Sequence, residues 1–172
     1  MSGYNGVYAL SASTGDVLWQ FGSNAEIYAE PSVANGAVYV ASFVNNVYEG
    51  YVHALDASTG SELWKYDSGS MTFLPFPAVV ANGVVYAGVQ SESSHGYIYA
   101  LDASNGTVLW SGDTGIDGGV SGPIVTNGTV IVQGFSGVYA FDLNSGKAHS
   151  NPSPPDPQTL VPELQLKISR PN

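Results

Sequence analysis

The chain has 172 residues, of which 44% are hydrophobic and only 10% charged, with 21 glycines, 11 tyrosines and no cysteine. This balance suits strands and tight turns, and it excludes disulfides, thiolate nucleophiles and cysteine-ligated zinc. The net charge is −10, and up to Gly146 twelve acidic residues stand against one basic residue, Lys65, which argues against nucleic acid and anionic lipid as partners.

Met1 to Gly6 shows neither a basic n-region nor an apolar h-region, so no signal peptide is visible, and no apolar run approaches the roughly 18 to 20 residues that span a bilayer. Residues 6–21 then read as two outer strands. A full set of four follows: 31–34, an Asn35-Gly36 turn, 37–42, a loop through Gly50, 51–56, a Ser-Thr-Gly turn, and 62–66. The next set runs 77–81, Asn82-Gly83, 84–89, 97–102 and 108–111, and the last 123–126, Asn127-Gly128, 129–133 and 138–142. Asn-Gly between apolar runs is the strongest short hairpin signal, because both turn positions need positive φ.

One phrase punctuates these sets. It reads ALDASTGSELW at 54–64, ALDASNGTVLW at 100–110 and ALSASTGDVLW at 9–19, with a fourth copy at 140–146 that stops short of its tryptophan. The tryptophans are spaced by 45 and 46 residues, a period that marks a repeat architecture. Within 97–101 one strand face carries Ile98 and Ala100 and the other Tyr99 and Leu101, so both faces need covering. A four-stranded sheet covered on both sides by copies of itself is a propeller blade. The expected fold is therefore all-β: a β-propeller of four-stranded antiparallel blades, forming an incomplete arc of about three and a half blades. The phrase is read as interblade cement, with Ala9, Gly15, Trp19, Ala54, Asp56, Gly60, Trp64, Ala100, Asp102, Gly106 and Trp110 as docking residues. A small alanine and a glycine are expected to leave space for a neighbour's indole, while Asp and Ser/Thr close the turn.

The pattern Ala-x-Asp-x-x-Thr-Gly-x-x-x-Trp resembles the tryptophan-docking motif of the quinoprotein, or PQQ-like, β-propeller repeats. Residues 54–64 match it fully, 100–110 carry Asn105 for Thr, and 9–19 carry Ser11 for Asp. The likeness covers roughly residues 4–147. Closed members have about six to eight blades, so the arc is read as a piece of a longer protein, with self-association of two arcs as the alternative. Residues 1–147 form the expected partial propeller. From Ala148 to Asn172 the chain becomes Pro-rich and is expected to be disordered.

The resemblance implies two functional branches. One is a pyrroloquinoline-quinone-dependent dehydrogenase, holding PQQ and calcium at the propeller axis with a vicinal disulfide that this cysteine-free chain cannot form. The other is a non-enzymatic propeller of the outer-membrane assembly lipoprotein type, which the chain resembles more. No catalytic or cofactor residue is assigned, and PQQ and calcium enter by resemblance alone. A periplasmic, cell-surface or secreted location is likewise only implied. His53 takes the place of Tyr8, Tyr99 and Tyr139 in the other repeats and is read as interblade packing. His95 lies near Glu92 in SESSH, and His149 in the tail; no strained nucleophile turn accompanies either. Asp113 and Asp117, among glycines, are a weak cation candidate against the reading of a Gly-rich interblade turn. Asn105 and Asn127 fit glycosylation sequons but sit at predicted tight turns.

A meander puts the Asn-Gly and Ser-Thr-Gly turns at one end of every blade. The other end carries loops 43–50, 90–96 and 134–136 and interblade segments 22–30, 67–76 and 112–121, which differ from copy to copy. Tyr28, Phe43, Tyr48, Glu49, Phe73, Phe76 and Glu92 on this end form the candidate binding face. The reading is a non-catalytic protein-binding or scaffolding module with an unidentified protein partner; the alternative is part of a PQQ-dependent dehydrogenase.

Overall fold

A computed structural model describes residues 6–22, 26–27, 29–44, 49–70, 72–73, 76–91, 95–117, 120–134 and 137–149. All regular structure there is β. The strands are β1 (Gly6–Leu10), β2 (Val17–Gly22), β3 (Ser32–Ala34), β4 (Ala37–Val44), β5 (Glu49–Asp56), β6 (Glu62–Ser70), β7 (Thr72–Phe73), β8 (Val79–Ala81), β9 (Val84–Ser91), β10 (His95–Asp102), β11 (Val108–Asp117), β12 (Ile124–Thr126), β13 (Thr129–Gly134) and β14 (Gly137–Asp142). They form four antiparallel sheets, β1-β2, β3-β4-β5-β6, β8-β9-β10-β11 with β7 also on β9, and β12-β13-β14. These are two outer strands, two whole blades and three strands of a last one, arranged as an open arc. The short first strands β3, β8 and β12 lie next to one another along its inner side.

The hairpins follow from local chemistry. Asn35, Asn82 and Asn127 have φ of 51°, 52° and 46°, and the glycines after them 78°, 77° and 75°. Two successive positive φ values make the primed turn whose twist matches that of the flanking strands. At the same end Ala57, Ala103 and Leu143 donate backbone N–H bonds to Gly36, Gly83 and Gly128, so the two turn families are tied together in each blade.

Three hydrophobic clusters sit between consecutive sheets. Val7, Val38, Val40 and Leu55 join the first and second blades, with Trp19 and Phe21 packed against them. Ala41, Val52 and Ala54 meet Val85, Val89 and Leu101 at the second junction. Tyr86, Ile98 and Ala100 meet Val130, Val132 and Phe141 at the third. In β10 alternate residues therefore face opposite neighbours, which is why neither face could be polar.

Several strands exceed their expected lengths. β6 and β11 continue to Ser70 and Asp117, because Glu49 pairs with Ser70 and His95 with Asp117. The Ser68 hydroxyl holds the Gly50 carbonyl at 2.7 Å, and Thr114 holds that of Gly96 at 2.7 Å. The interblade segments, expected as loops, also pair. Glu26 exchanges backbone bonds of 2.8 and 2.9 Å with Phe43, and β7 pairs with β9. At the C-terminal side Ala148 bridges Phe141, and His149 N–H reaches Ala140, so pairing runs two residues past the expected boundary at 147. The Pro-rich segment lies outside the described residues.

Candidate functional site

The repeated phrase builds one device three times. Trp19, Trp64 and Trp110 stand opposite Ala9, Ala54 and Ala100 in their own blades. Each indole reaches forward into the next blade, where its Nε1–H donates at 2.9 Å to the carbonyl of Ala57, Ala103 or Leu143. Its ring lies on Gly60, Gly106 or Gly146, so closely that an added Cβ would come within 2.6, 2.6 or 2.4 Å. The docking alanines thus differ from expectation: they lie beside their own tryptophan, and the glycine and a peptide carbonyl receive the neighbour's indole. A register shift follows each alanine, leaving Leu18, Leu63 and Leu109 as outward residues beside the tryptophans.

The aspartates hold the turn. Asp56 Oδ1 accepts bonds from the Ser58 and Thr59 backbones, both at 2.9 Å, and from both hydroxyls. The Ser58 hydroxyl, with the Thr59 hydroxyl and both amides, holds the Asp56 carboxyl below its ordinary range. Asp102 and Asp142 repeat the arrangement with Ser104 and Ser145. Ser11 takes the same place in the first repeat, accepting from Thr14 N–H at 3.2 Å. All these residues are consumed by packing and turn closure.

His53 does pack between blades, its ring 5.3 Å from that of Phe21. The sequence reading missed its two partners. Nε2 lies 2.8 Å from Ser42 Oγ, and Nδ1 lies 2.8 Å from Glu62 Oε2. Where this blade has Ser42 and Glu62, the following one has Val89 and Val108; two polar residues replacing valines beside a histidine replacing tyrosine was the available signal. The order hydroxyl, imidazole, carboxylate is that of an acyl-transfer triad. Ser42, however, is 1% exposed on the extended strand β4, inside the blade junction, so its hydroxyl is closed to a substrate. The chain of bonds satisfies buried polar atoms.

Burial outweighs the Glu62 carboxylate and pushes the His53 pKa below its ordinary value. A group whose folded pKa is depressed as a base is disfavoured when protonated. Its contribution is complete above about pH 6.5 and declines as pH falls through that value, since the unfolded chain then binds more protons. Lys65 adds to the depression, while Ser42, Tyr51 and Phe21 complete the surroundings without charge. Urea denaturation between pH 7 and 5 is expected to show falling stability, and His53→Tyr, the residue of the other repeats, should flatten that slope. An unchanged slope in the variant would assign the acid sensitivity elsewhere.

The candidate binding face is rearranged. Phe43 is buried on β4, held by its backbone exchange with Glu26, and so belongs to the core and not to a projecting loop. Glu49 begins β5 and accepts a bond from the Tyr51 hydroxyl, which pushes the Tyr51 pKa up to about 12. Lys65 Nζ lies 4.6 Å from the centre of the Tyr51 ring. Phe76 is half-buried, and Phe73 is placed by its backbone on β7. Tyr28, Tyr48 and Glu92 lie outside the described residues. Asp113 and Asp117 fall on β11, opposite Tyr97 and His95, so residues 113–117 extend a strand where a Gly-rich turn was the alternative reading. Among the described residues no three His, Asp or Glu side chains gather as metal ligands.

The geometry of docked indoles can now be set beside known proteins. A family profile described as outer membrane protein assembly factor BamB matches residues 1–49 and 48–160. The chain belongs to this PQQ-like repeat family. Solved structures agree on the fold. BamB from Moraxella catarrhalis is 20% identical with a TM-score of 0.60, covering 85% of this chain and 45% of its own. A quinohemoprotein alcohol dehydrogenase from Pseudomonas putida HK5 is 17% identical with a TM-score of 0.66, covering 84% and 31%. The corresponding enzyme from Comamonas testosteroni is 19% identical with a TM-score of 0.66, covering 84% and 31%. The PQQ-like chain thus spans less than half the length of each. Curated protein sequences gave no match. No helix among its described residues is long and apolar enough to cross a membrane.

Proposed function

We propose that this PQQ-like repeat chain is a non-catalytic protein-binding or scaffolding module of the cell envelope, working through the loop end of its blades. The observation that carries this reading is the contrast between the two ends. At one end the turns are near-copies, locked by the same backbone bonds in the second, third and fourth blades. At the other, the segments between β4 and β5, β9 and β10, and β13 and β14 diverge in length and sequence although the strands they join are paired alike. The family's description as an assembly factor supports a protein partner. The burial of Phe43 shifts the proposed contact set toward Tyr28, Tyr48, Glu49, Phe73, Phe76 and Glu92.

A photo-crosslinking residue at positions 48 and 73 is expected to give adducts with envelope proteins, and the same residue at Asn82 or Asn127 none. Adducts confined to the Asn-Gly end would reverse the assignment of faces. The second reading, part of a PQQ-dependent dehydrogenase, is favoured by the fold likeness to the two alcohol dehydrogenases. Titration with PQQ and calcium separates the two, since a shift in quinone absorbance would support the enzyme and the module predicts none.

A further inference from the structure

The last sheet, β12-β13-β14, packs one face against the third blade through Val130, Val132 and Phe141. Its other face carries Ile124, Ile131 and Ala140 side by side across the three strands, with Val138 beside them. In the second and third blades the positions of Val138 and Ala140 are filled by Val52 and Ala54 and by Ile98 and Ala100, all 0% exposed under the next blade. In the last blade Val138 is 61% exposed and Ile124 63%. The chain does not stop there. It continues from Ser150 to Asn172, outside the described residues. Within that stretch one run alternates, with Leu164, Leu166 and Ile168 separated by Gln165 and Lys167. In extended form such a run has one apolar side and one polar side.

We propose that residues 163–168 cap the last blade of their own chain, laying Leu164, Leu166 and Ile168 over Ile124, Ile131 and Val138 and turning Gln165 and Lys167 to water. A stacked repeat needs a terminal element of this kind, apolar inward and polar outward. The dimensions allow it. Residues 150–162 can extend to about 40 Å, which exceeds the roughly 10 Å between the first and third strands of a sheet. A run of six extended residues is about 20 Å long, enough to cross all three strands. Charge favours the same occupant. Up to Gly146 twelve acidic residues face Lys65 alone, whereas the rest of the chain carries Lys147, Lys167 and Arg170 against Asp156 and Glu163. A positive segment is thus tethered to a negative body.

The chain has no cysteine, so an introduced pair reports on itself alone. In the full chain, Val138→Cys with Leu166→Cys is expected to close an intramolecular disulfide about tenfold faster than Val138→Cys with Gln165→Cys. The two tethers differ by one residue, so a segment that only collides with the face would close both at the same rate. Equal rates would overturn the proposal. Disulfide-linked dimers that outrun the internal bridge would also overturn it, because the occupant would then be a second copy. Thermal unfolding gives an independent reading. Leu166→Asp should lower Tm by about 5 °C, Gln165→Asp should leave it unchanged, and Leu166→Asp should cost nothing further once Val138→Asp is present. Equal effects of the two tail substitutions, or additive losses in the double variant, would place the segment elsewhere and overturn the assignment.

Discussion

Trp64→Ala is expected to be among the most damaging single substitutions in this chain, lowering stability by about 3 to 5 kcal/mol. Two losses combine. The indole is half-buried at the junction of the second and third blades, where it packs beside Ala54 and 5.9 Å from the Tyr39 ring. Its removal also takes away the 2.9 Å bond to the Ala103 carbonyl. An orphaned, partly buried carbonyl costs about 1 to 3 kcal/mol beyond the lost packing. For a chain of this size each kcal/mol corresponds to roughly 2 to 4 °C in Tm, so the midpoint should fall by about 10 °C. Trp64→Phe keeps most of the apolar area and should lose only about 1 to 3 kcal/mol, the cost of leaving the Ala103 carbonyl unpaired. Calorimetry on both variants checks the division, and equal losses would mean that the hydrogen bond dominates.

The second large effect comes from the partner surface. Gly106→Ala meets two obstacles at once. Its φ of 76° lies in the left-handed region, and the new Cβ would come within 2.6 Å of Trp64 Cε3. Left-handed backbone on a residue with Cβ costs about 1 to 2 kcal/mol, and the overpacking about 1 to 3 more. Gly15→Ala shares only the first term, because nothing lies within 4 Å there. The two variants should therefore differ by about 1 to 3 kcal/mol in urea denaturation, although the residues occupy the same place in the repeat. Equal losses would show that backbone strain alone governs these glycines.

Much of the architecture is legible in the chain because its signals are local. Asn-Gly dipeptides demand positive φ within two residues, and alternation shows within five that both faces of β10 are apolar. The period of the tryptophans then implies stacking. The strand ends were less legible, since β6 and β11 are prolonged by pairing to β5 and β10 and not by their own composition. Asp113 and Asp117 looked like loop residues for that reason. The aromatic face was the weakest inference: Phe43 is apolar and near a loop in sequence, yet its backbone bonds to Glu26 draw it into the core. The Ser42–His53–Glu62 chain needed three strands in register before its members could meet.

The sequence by itself determined the blade, its four strands, its turns and the family of PQQ-like repeats to which the chain belongs. These properties are written in neighbouring residues and in their repetition. Only the tertiary structure decided what each docking residue touches. Trp19 finds its carbonyl 38 residues away and Trp64 finds one 39 away, in another blade each time. Backbone preference acts over a turn, whereas packing joins residues that the chain itself keeps far apart. For that reason the same glycine of the repeated phrase is sealed by an indole at Gly60 and Gly106 and open at Gly15.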